Sequence, residues 1–214
     1  SPKFAFISAN QAVRYTLFID NCEILGFSSK DAAVFSSLYC TMADTIKFSN
    51  SKITNCYSGI NLHKEKEDGK YNAETVILYN SVFANIDSFA LDYYRGGNDE
   101  STVGGSLEVN HCVFDAVENT AGNAILNLNR IMYVKIKNSV FSNSKASASV
   151  NLWYLYNNIS NSCFYNCAKP EFLKGATSNN LIFENPGYEG KGYSLTADSV
   201  LKGKASDGKN IGIQ

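Results

Sequence analysis

An asparagine returns along this chain at near-regular intervals. Asn21, Asn50, Asn80, Asn138, Asn161 and Asn185 each follow a short alternating apolar run, and His111 holds the slot in the fourth cycle. The next residue is small or turn-forming: Cys22, Ser51, Ser81, Cys112, Ser139, Ser162, Pro186. Three residues past the anchor, in the first six cycles, stands Ile24, Ile53, Phe83, Phe114, Phe141 or Phe164. Successive anchors are 29, 30, 31, 27, 23 and 24 residues apart. A unit of this length cannot bury its apolar face alone, so the repeat restricts the chain to a solenoid whose cycles stack on one another.

The kind of solenoid follows from the strand-like segments in each cycle. One precedes the anchor (Leu17-Phe18-Ile19, Ile46-Lys47-Phe48, Val76-Ile77-Leu78), and one follows it (Val82-Phe83-Ala84). A third comes some way further on: Ile60-Asn61-Leu62, Leu91-Asp92-Tyr93, Leu126-Asn127-Leu128, Val150-Asn151-Leu152. Three short segments with period-2 alternation predict a right-handed parallel β-helix, an all-β fold of about seven coils with three strands each. A leucine-rich repeat would need a tighter Leu consensus and a helical segment, and neither is present. With three prolines and no Pro/Gly/Ser-rich linker, residues 1–214 read as one domain.

Stacked coils place equivalent residues one strand spacing apart, roughly 4.8 Å. The anchors then form a ladder at one corner, because Asn tolerates the left-handed backbone region and its amide can bond its counterpart in the next coil. Asn55, Asn85, Asn143 and Asn166, five residues further on, predict a second ladder. The same register separates the cysteines. Cys22 and Cys112 share a slot three coils apart, roughly 14 Å, and Cys56 and Cys167 share another four coils apart. A disulfide needs Cα atoms within about 7 Å, so free thiols serving as small apolar fillers are expected. Cys40 and Cys163 are unconstrained, and two histidines without a CxxC give no zinc pattern.

The third strands carry the candidate chemistry. Their outward positions read Asn61 and His63, Asp92 and Tyr94, Asn127 and Asn129, Asn151 and Trp153. Just beyond them stand Lys64, Arg95 and Arg130, with Tyr154 in the slot of the next coil. Stacking turns these into a column of positive charge beside amides and aromatic rings, suited to successive carboxylates of a polyuronate through bidentate guanidinium contacts and ring stacking. The bland alternative is a solvated face whose long side chains merely cover the sheet. Arg95, Arg130, Tyr94, Asn127, Asn129 and Trp153 are the candidate substrate-binding residues. Were the chain itself a β-eliminating enzyme, Arg95 or Arg130 would neutralise the substrate carboxylate, Lys64 or His63 would take the proton, and Tyr94 would protonate the leaving oxygen. Two insertions leave the same edge, one from His63 to Lys70 and one from Arg95 to Gly105. Asp99 and Glu100 in the second are candidate hard-oxygen ligands for calcium, and no other cofactor is expected.

The segment Tyr93 to Thr102, YYRGGNDEST, set between two coils, resembles polysaccharide lyase family 6, the alginate lyase and chondroitinase B group. It is most similar to the C-terminal β-helix domain of the two-domain alginate lyases, a solenoid of the pectate-lyase type. The ending Ser206 to Gly212 resembles the closing coil of bacterial β-helix proteins. The resemblance implies an acidic polysaccharide partner (alginate or another polyuronate), a secreted, periplasmic or outer-surface bacterial location, and an upstream β-helix domain in the same protein. It also implies a Lys base, an Arg, and calcium held by an Asn and two acidic residues one apart. Glu65 and Glu67 have that spacing but sit in a charged loop, and no following strand offers both Lys and Arg. The complete catalytic set is therefore expected outside this chain, which would shape the cleft. The alternative is a non-catalytic glycan-binding β-helix. Nucleic acid is not expected, since the formal net charge is −1 with 18% charged residues, and no apolar stretch approaches the roughly 20 residues of a membrane span.

Overall fold

A computed structural model describes residues 4–9, 13–37, 42–62, 73–94, 104–117, 124–172 and 175–214. It is a right-handed parallel β-helix with no α-helix among those residues. The leading strand of each coil is Val13–Asp20, Met42–Ser49, Ala73–Tyr79, Gly104–Asn110, Ile131–Lys137, the first half of Asn157–Tyr165, and Thr177–Ile182. After the anchor come Glu23–Leu25, Lys52–Cys56, Val82–Ile86, Val113–Val117 and Val140–Ser142. The closing strands are Phe4–Ser8, Ala32–Ser36, Ile60–Leu62, Leu91–Tyr94, Ala124–Asn129, Ala148–Leu152 and Glu171–Phe172, stacked in that order as a seven-stranded parallel sheet. Leading and middle strands merge into one sheet because Asn157–Tyr165 runs through the corner unbroken. No helix among the described residues is long and apolar enough to cross a membrane.

Both predicted corner ladders exist. Asn21, Asn50, Asn80, His111, Asn138 and Asn161 all have φ between 44 and 55°, in the left-handed region that Asn enters more readily than most side chains. The seventh anchor is not Asn185. Ser160 pairs with Asn179 and Ser162 with Leu181, so Asn180, at φ 53°, is level with Asn161. Coil six is short, with Asn158 and its partner Thr177 in coil seven only 19 residues apart. Asn185 instead bends the chain locally, its side-chain oxygen accepting from the Gly187 N–H at 2.9 Å. The second corner holds Asn55, Asn85, Asn143 and Asn166, with Gly26 and Ala116 in the slots of coils one and four.

The slot after the anchor explains itself by hydrogen bonding. Ser51, Ser81, Ser139 and Ser162 each donate the hydroxyl to the carbonyl two residues back. Each accepts the N–H of the equivalent residue one coil earlier, at 3.1–3.2 Å. Cys22 and Cys112 send their thiols to the same carbonyl position. A small donor thus gives a second bond to corner carbonyls such as those of Ser49, Tyr79 and Ser160, which already accept the anchor N–H of the preceding coil.

The core is built from columns. Ile46, Val76, Leu107 and Val134 stack inside the leading face, and Phe48, Leu78, Val109, Ile136 and Ile159 form the next column. The residue three past the anchor gives an aromatic column. Phe83, Phe114, Phe141 and Phe164 stack with centroids 5.4, 4.8 and 4.9 Å apart, and Phe183 extends the column at 6.1 Å. Each such ring pair contributes about 0.5–1.5 kcal/mol beyond area burial.

The C-terminal residues do not form a closing coil. Leu201, Ala205 and Ile211 lie on the outer side of the middle face, against Val82, Ala84, Val113, Val140 and Cys163. This strap runs back across the anchor corner. Asn161 Nδ2 donates to the Lys204 carbonyl, Ser206 N to Asn138 Oδ1, and Gln214 N to Asn80 Oδ1 at 2.7 Å. Among the described residues direct bonding between anchor amides runs from Asn80 to Asn50, at 2.8 Å, while Asn50 itself donates to Asp20 Oδ1 rather than to Asn21. The strap also accounts for His111. Its ring is 1% exposed, with Nε2 3.0 Å from Asp207 Oδ2 and Nδ1 3.0 Å from the Gly212 carbonyl oxygen. An imidazole reaches two groups on opposite edges, which the shorter Asn amide could not span. The break in the repeat is thus a docking point for the strap.

Among the described residues the thiols are free as expected, but Cys22 is exposed and fills no core space. Cys22, Cys56, Cys112, Cys163 and Cys167 are all free, and Cys40 lies outside the described residues. Burial pushes Cys112 and Cys163 up to about 12 and Cys167 up to about 11.

Candidate functional site

The closing strands deliver their residues to one corner of the helix, where the chain turns back into the next leading strand. In coil four that turn is the single residue Arg130, between Asn129 and Ile131, at φ 62°. In coils two and three the chain makes the same passage through residues 63–72 and 95–103, so both insertions leave this corner. The second is shorter than its sequence suggests. Gly104 and Gly105 belong to a leading strand, and Gly104 N donates to the Arg130 carbonyl at 3.1 Å.

Register confirms the predicted rows. Asn61, Asp92 and Asn127 are level with one another, as are Tyr94 and Asn129. Counting on from the Leu126–Val150 pair puts Trp153 level with Asn129, just past the end of Ala148–Leu152. The two rows differ in character. Asn61 and Asp92 are 4% and 7% exposed, and Asn127 donates its amide to Asp92 Oδ1 at 2.9 Å. Asn151 accepts the Leu128 N–H through Oδ1 at 2.8 Å, replacing a backbone rung of the sheet. The first row is therefore knit into the sheet, contrary to the expectation of an open polar face. Asn127 takes part mainly as a prop for Asp92.

The second row is accessible. Asn129 is exposed, Tyr94 and Arg130 are half-buried, and Trp153 is 37% exposed. The Arg130 guanidinium lies over the Tyr94 ring, 5.7 Å from its centroid, a cation–π geometry that presets its direction. Of the predicted residues, the structure thus brings together Tyr94, Asn129, Arg130 and Trp153. His63, Lys64, Arg95, Asp99 and Glu100 lie outside the described residues, and with them the candidates for a catalytic base, two cations of the expected column and the candidate calcium ligands. Among the described residues no three His, Cys, Asp or Glu side chains group as a metal site.

Two aromatic residues of this corner escaped sequence reasoning. Tyr133 and Tyr156 stand side by side on the outer leading face, centroids 5.2 Å apart and rings inclined by 35°. Both are largely exposed, as is the adjacent Leu155. Each stands five residues before its anchor, level with Ser106, Thr75 and Thr45 in earlier coils. Counting backward from the anchors would have found them. Among the described residues the corner therefore presents one guanidinium, an exposed amide and several aromatic faces, a set able to hold a carboxylate and lie flat against a sugar ring.

No protein-family model and no curated protein matches the chain.

Proposed function

We propose that this corner binds an acidic polysaccharide, and that the chain forms part of the cleft of an enzyme cleaving such a polymer by β-elimination. The observation that carries the reading is the guanidinium of Arg130 laid over Tyr94, in the row that also holds exposed Asn129 and 37% exposed Trp153. Arg130 supplies two parallel donors for a uronate carboxylate. Trp153, Tyr133 and Tyr156 supply apolar ring faces along the direction in which coils stack. The resemblance of Tyr93–Thr102 to the alginate lyase and chondroitinase B group supports the polymer class and a bacterial secreted, periplasmic or outer-surface setting. Within that reading His63, Lys64 and Arg95 would line the cleft from the insertions, and Asp99 and Glu100 would hold calcium.

The same rim suits a glycan-binding β-helix without catalysis, and two measurements separate the readings. Affinity electrophoresis through alginate, pectate or chondroitin sulfate should retard the chain, with Arg130→Ala and Trp153→Ala each reducing the retardation. Unchanged mobility of both variants would leave the corner a solvated face. Appearance of the unsaturated product's absorbance on incubation with these polymers would place catalysis in this chain; retardation without product favours the cleft-wall or binding role.

An upstream β-helix of the same protein belongs to the proposal. Ile7, Leu17 and Ile19 in the first coil are only partly buried, whereas their register partners Phe35, Ile46 and Phe48 are wholly buried. A coil stacked on that edge would complete their burial. A gene encoding such a coil upstream, with its own Lys, Arg and calcium ligands, would bear this out, and an unrelated upstream sequence would overturn it.

A further inference from the structure

The second asparagine ladder is incomplete, and a groove opens where it fails. In the later coils its side chains satisfy one another. Asn143 Nδ2 donates to Asp115 Oδ1 at 2.8 Å, and Asn166 Nδ2 donates to Asn143 Oδ1 at 3.0 Å. Asn55 and Asn85 occupy the same slot in coils two and three, one strand spacing apart. Their amides are exposed and make no side-chain hydrogen bond with any described residue. On one side the slot holds Gly26, with no side chain, and on the other Ala116, with only a methyl group. The missing side chains leave a cavity of about 400 Å³ lined by Gly26, Ser28, Asn55, Asn85, Asp87 and Ala116. That volume lies in the range of small-molecule sites.

The lining defines the ligand by its chemistry. Two primary amides each offer donors and an acceptor, Ser28 offers a hydroxyl, and the exposed Asp87 carboxylate only accepts. Among the described residues no cation lines the groove. A neutral polyhydroxyl compound fits such a wall, because each hydroxyl both donates and accepts, and a carboxylate can take two neighbouring hydroxyls at once. An anionic sugar would meet Asp87 without compensation. We infer that this groove binds a neutral saccharide of one or two rings, through Asn55, Asn85, Asp87 and Ser28. The site lies at the corner between middle and closing faces, whereas Arg130 sits where the closing face returns to the leading one.

The inference is tested by titrating the chain with a panel of neutral disaccharides, and with a uronic acid disaccharide, at millimolar concentration. The readout is the side-chain amide NMR signals of Asn55 and Asn85. Asn85→Gly deletes the amide while keeping a residue at ease in the left-handed backbone region. Ala116→Asn rebuilds the ladder and fills the groove. At least one neutral disaccharide should shift both amide pairs saturably. Asn85→Gly and Ala116→Asn should each weaken that binding at least tenfold, and Arg130→Ala should leave it unchanged. Ala116→Asn should melt no lower than the parent chain, which separates loss of binding from loss of fold. The inference is overturned if no neutral disaccharide shifts these signals, if only the uronate does, or if the Ala116→Asn chain binds as well as the parent.

Discussion

Phe141 should be more sensitive than Phe83 within the aromatic column, and the structure says by how much. Its ring is fully buried and stacked on both sides, 4.8 Å from Phe114 at 18° and 4.9 Å from Phe164 at 8°. Phe83 is equally buried but stacks on one side only, 5.4 Å from Phe114. Its other neighbour in the column is Ile53. Phe→Leu keeps most of the apolar volume at either site and deletes the ring pairs. At about 0.5–1.5 kcal/mol per pair, Phe141→Leu should lose roughly 1–3 kcal/mol from this source and Phe83→Leu roughly half of that. Urea denaturation measures both, provided m stays constant between variants. If m is about 3 kcal/mol/M, a gap of about 1 kcal/mol separates the two midpoints by roughly 0.3 M. Equal midpoints, or a lower one for Phe83→Leu, would show that ring stacking does not govern this column.

Three further outcomes follow from particular side chains. Asn157 sits in the inner leading column below Val134, 1% exposed, with an Oδ1 that finds no partner among the described residues; Asn157→Val should stabilise the fold by about 1 kcal/mol, and a lower melting temperature would contradict this. A thiol reagent at neutral pH should label exposed Cys22 readily while Cys112 and Cys163, held at about 12 by burial, stay unmodified until the chain unfolds. The bond from His111 holds the Asp207 carboxyl below the usual carboxylate range, and bonds from Ser49 and Asn50 do the same for Asp20. Groups with lowered folded values add stability above the ordinary carboxylate range and lose it as pH falls through those lowered values. Asp207→Asn should therefore flatten part of the acid limb of melting temperature against pH, and an unaltered limb would remove the strap contact from the explanation.

Much of the architecture was legible because corner geometry is local. A left-handed residue, a small donor after it and an apolar residue three places on recur wherever the chain turns from leading to middle face, whatever the loops between do. The seventh anchor was misplaced because coil six is shorter than the others and Asn185 stands at the expected distance. Phe183, three past Asn180, carried the correct register in plain view. The strap was not legible. Leu201, Ala205 and Ile211 have no periodicity of their own, since their spacing follows the outer residues they cover. The covered face did leave a trace. Val82-Phe83, Val113-Phe114 and Val140-Phe141 are adjacent apolar pairs, as in strands buried on both sides. At the candidate site, register found Tyr94, Asn129, Arg130 and Trp153, but alternation alone could not tell that Asn61 and Asp92 were closed off.

The chain carries its own reporter for the central claim. Trp153 is the only tryptophan, it is 37% exposed, and it stands level with Asn129 at the Arg130 corner. Titrating the chain with an oligouronate while recording tryptophan fluorescence should give a saturable change that weakens as salt rises. Arg130→Ala should abolish it, and neutral oligosaccharides should leave the signal flat. A flat response to every polyuronate, or a response that Arg130→Ala leaves untouched, would contradict the assignment of this corner to an acidic polysaccharide.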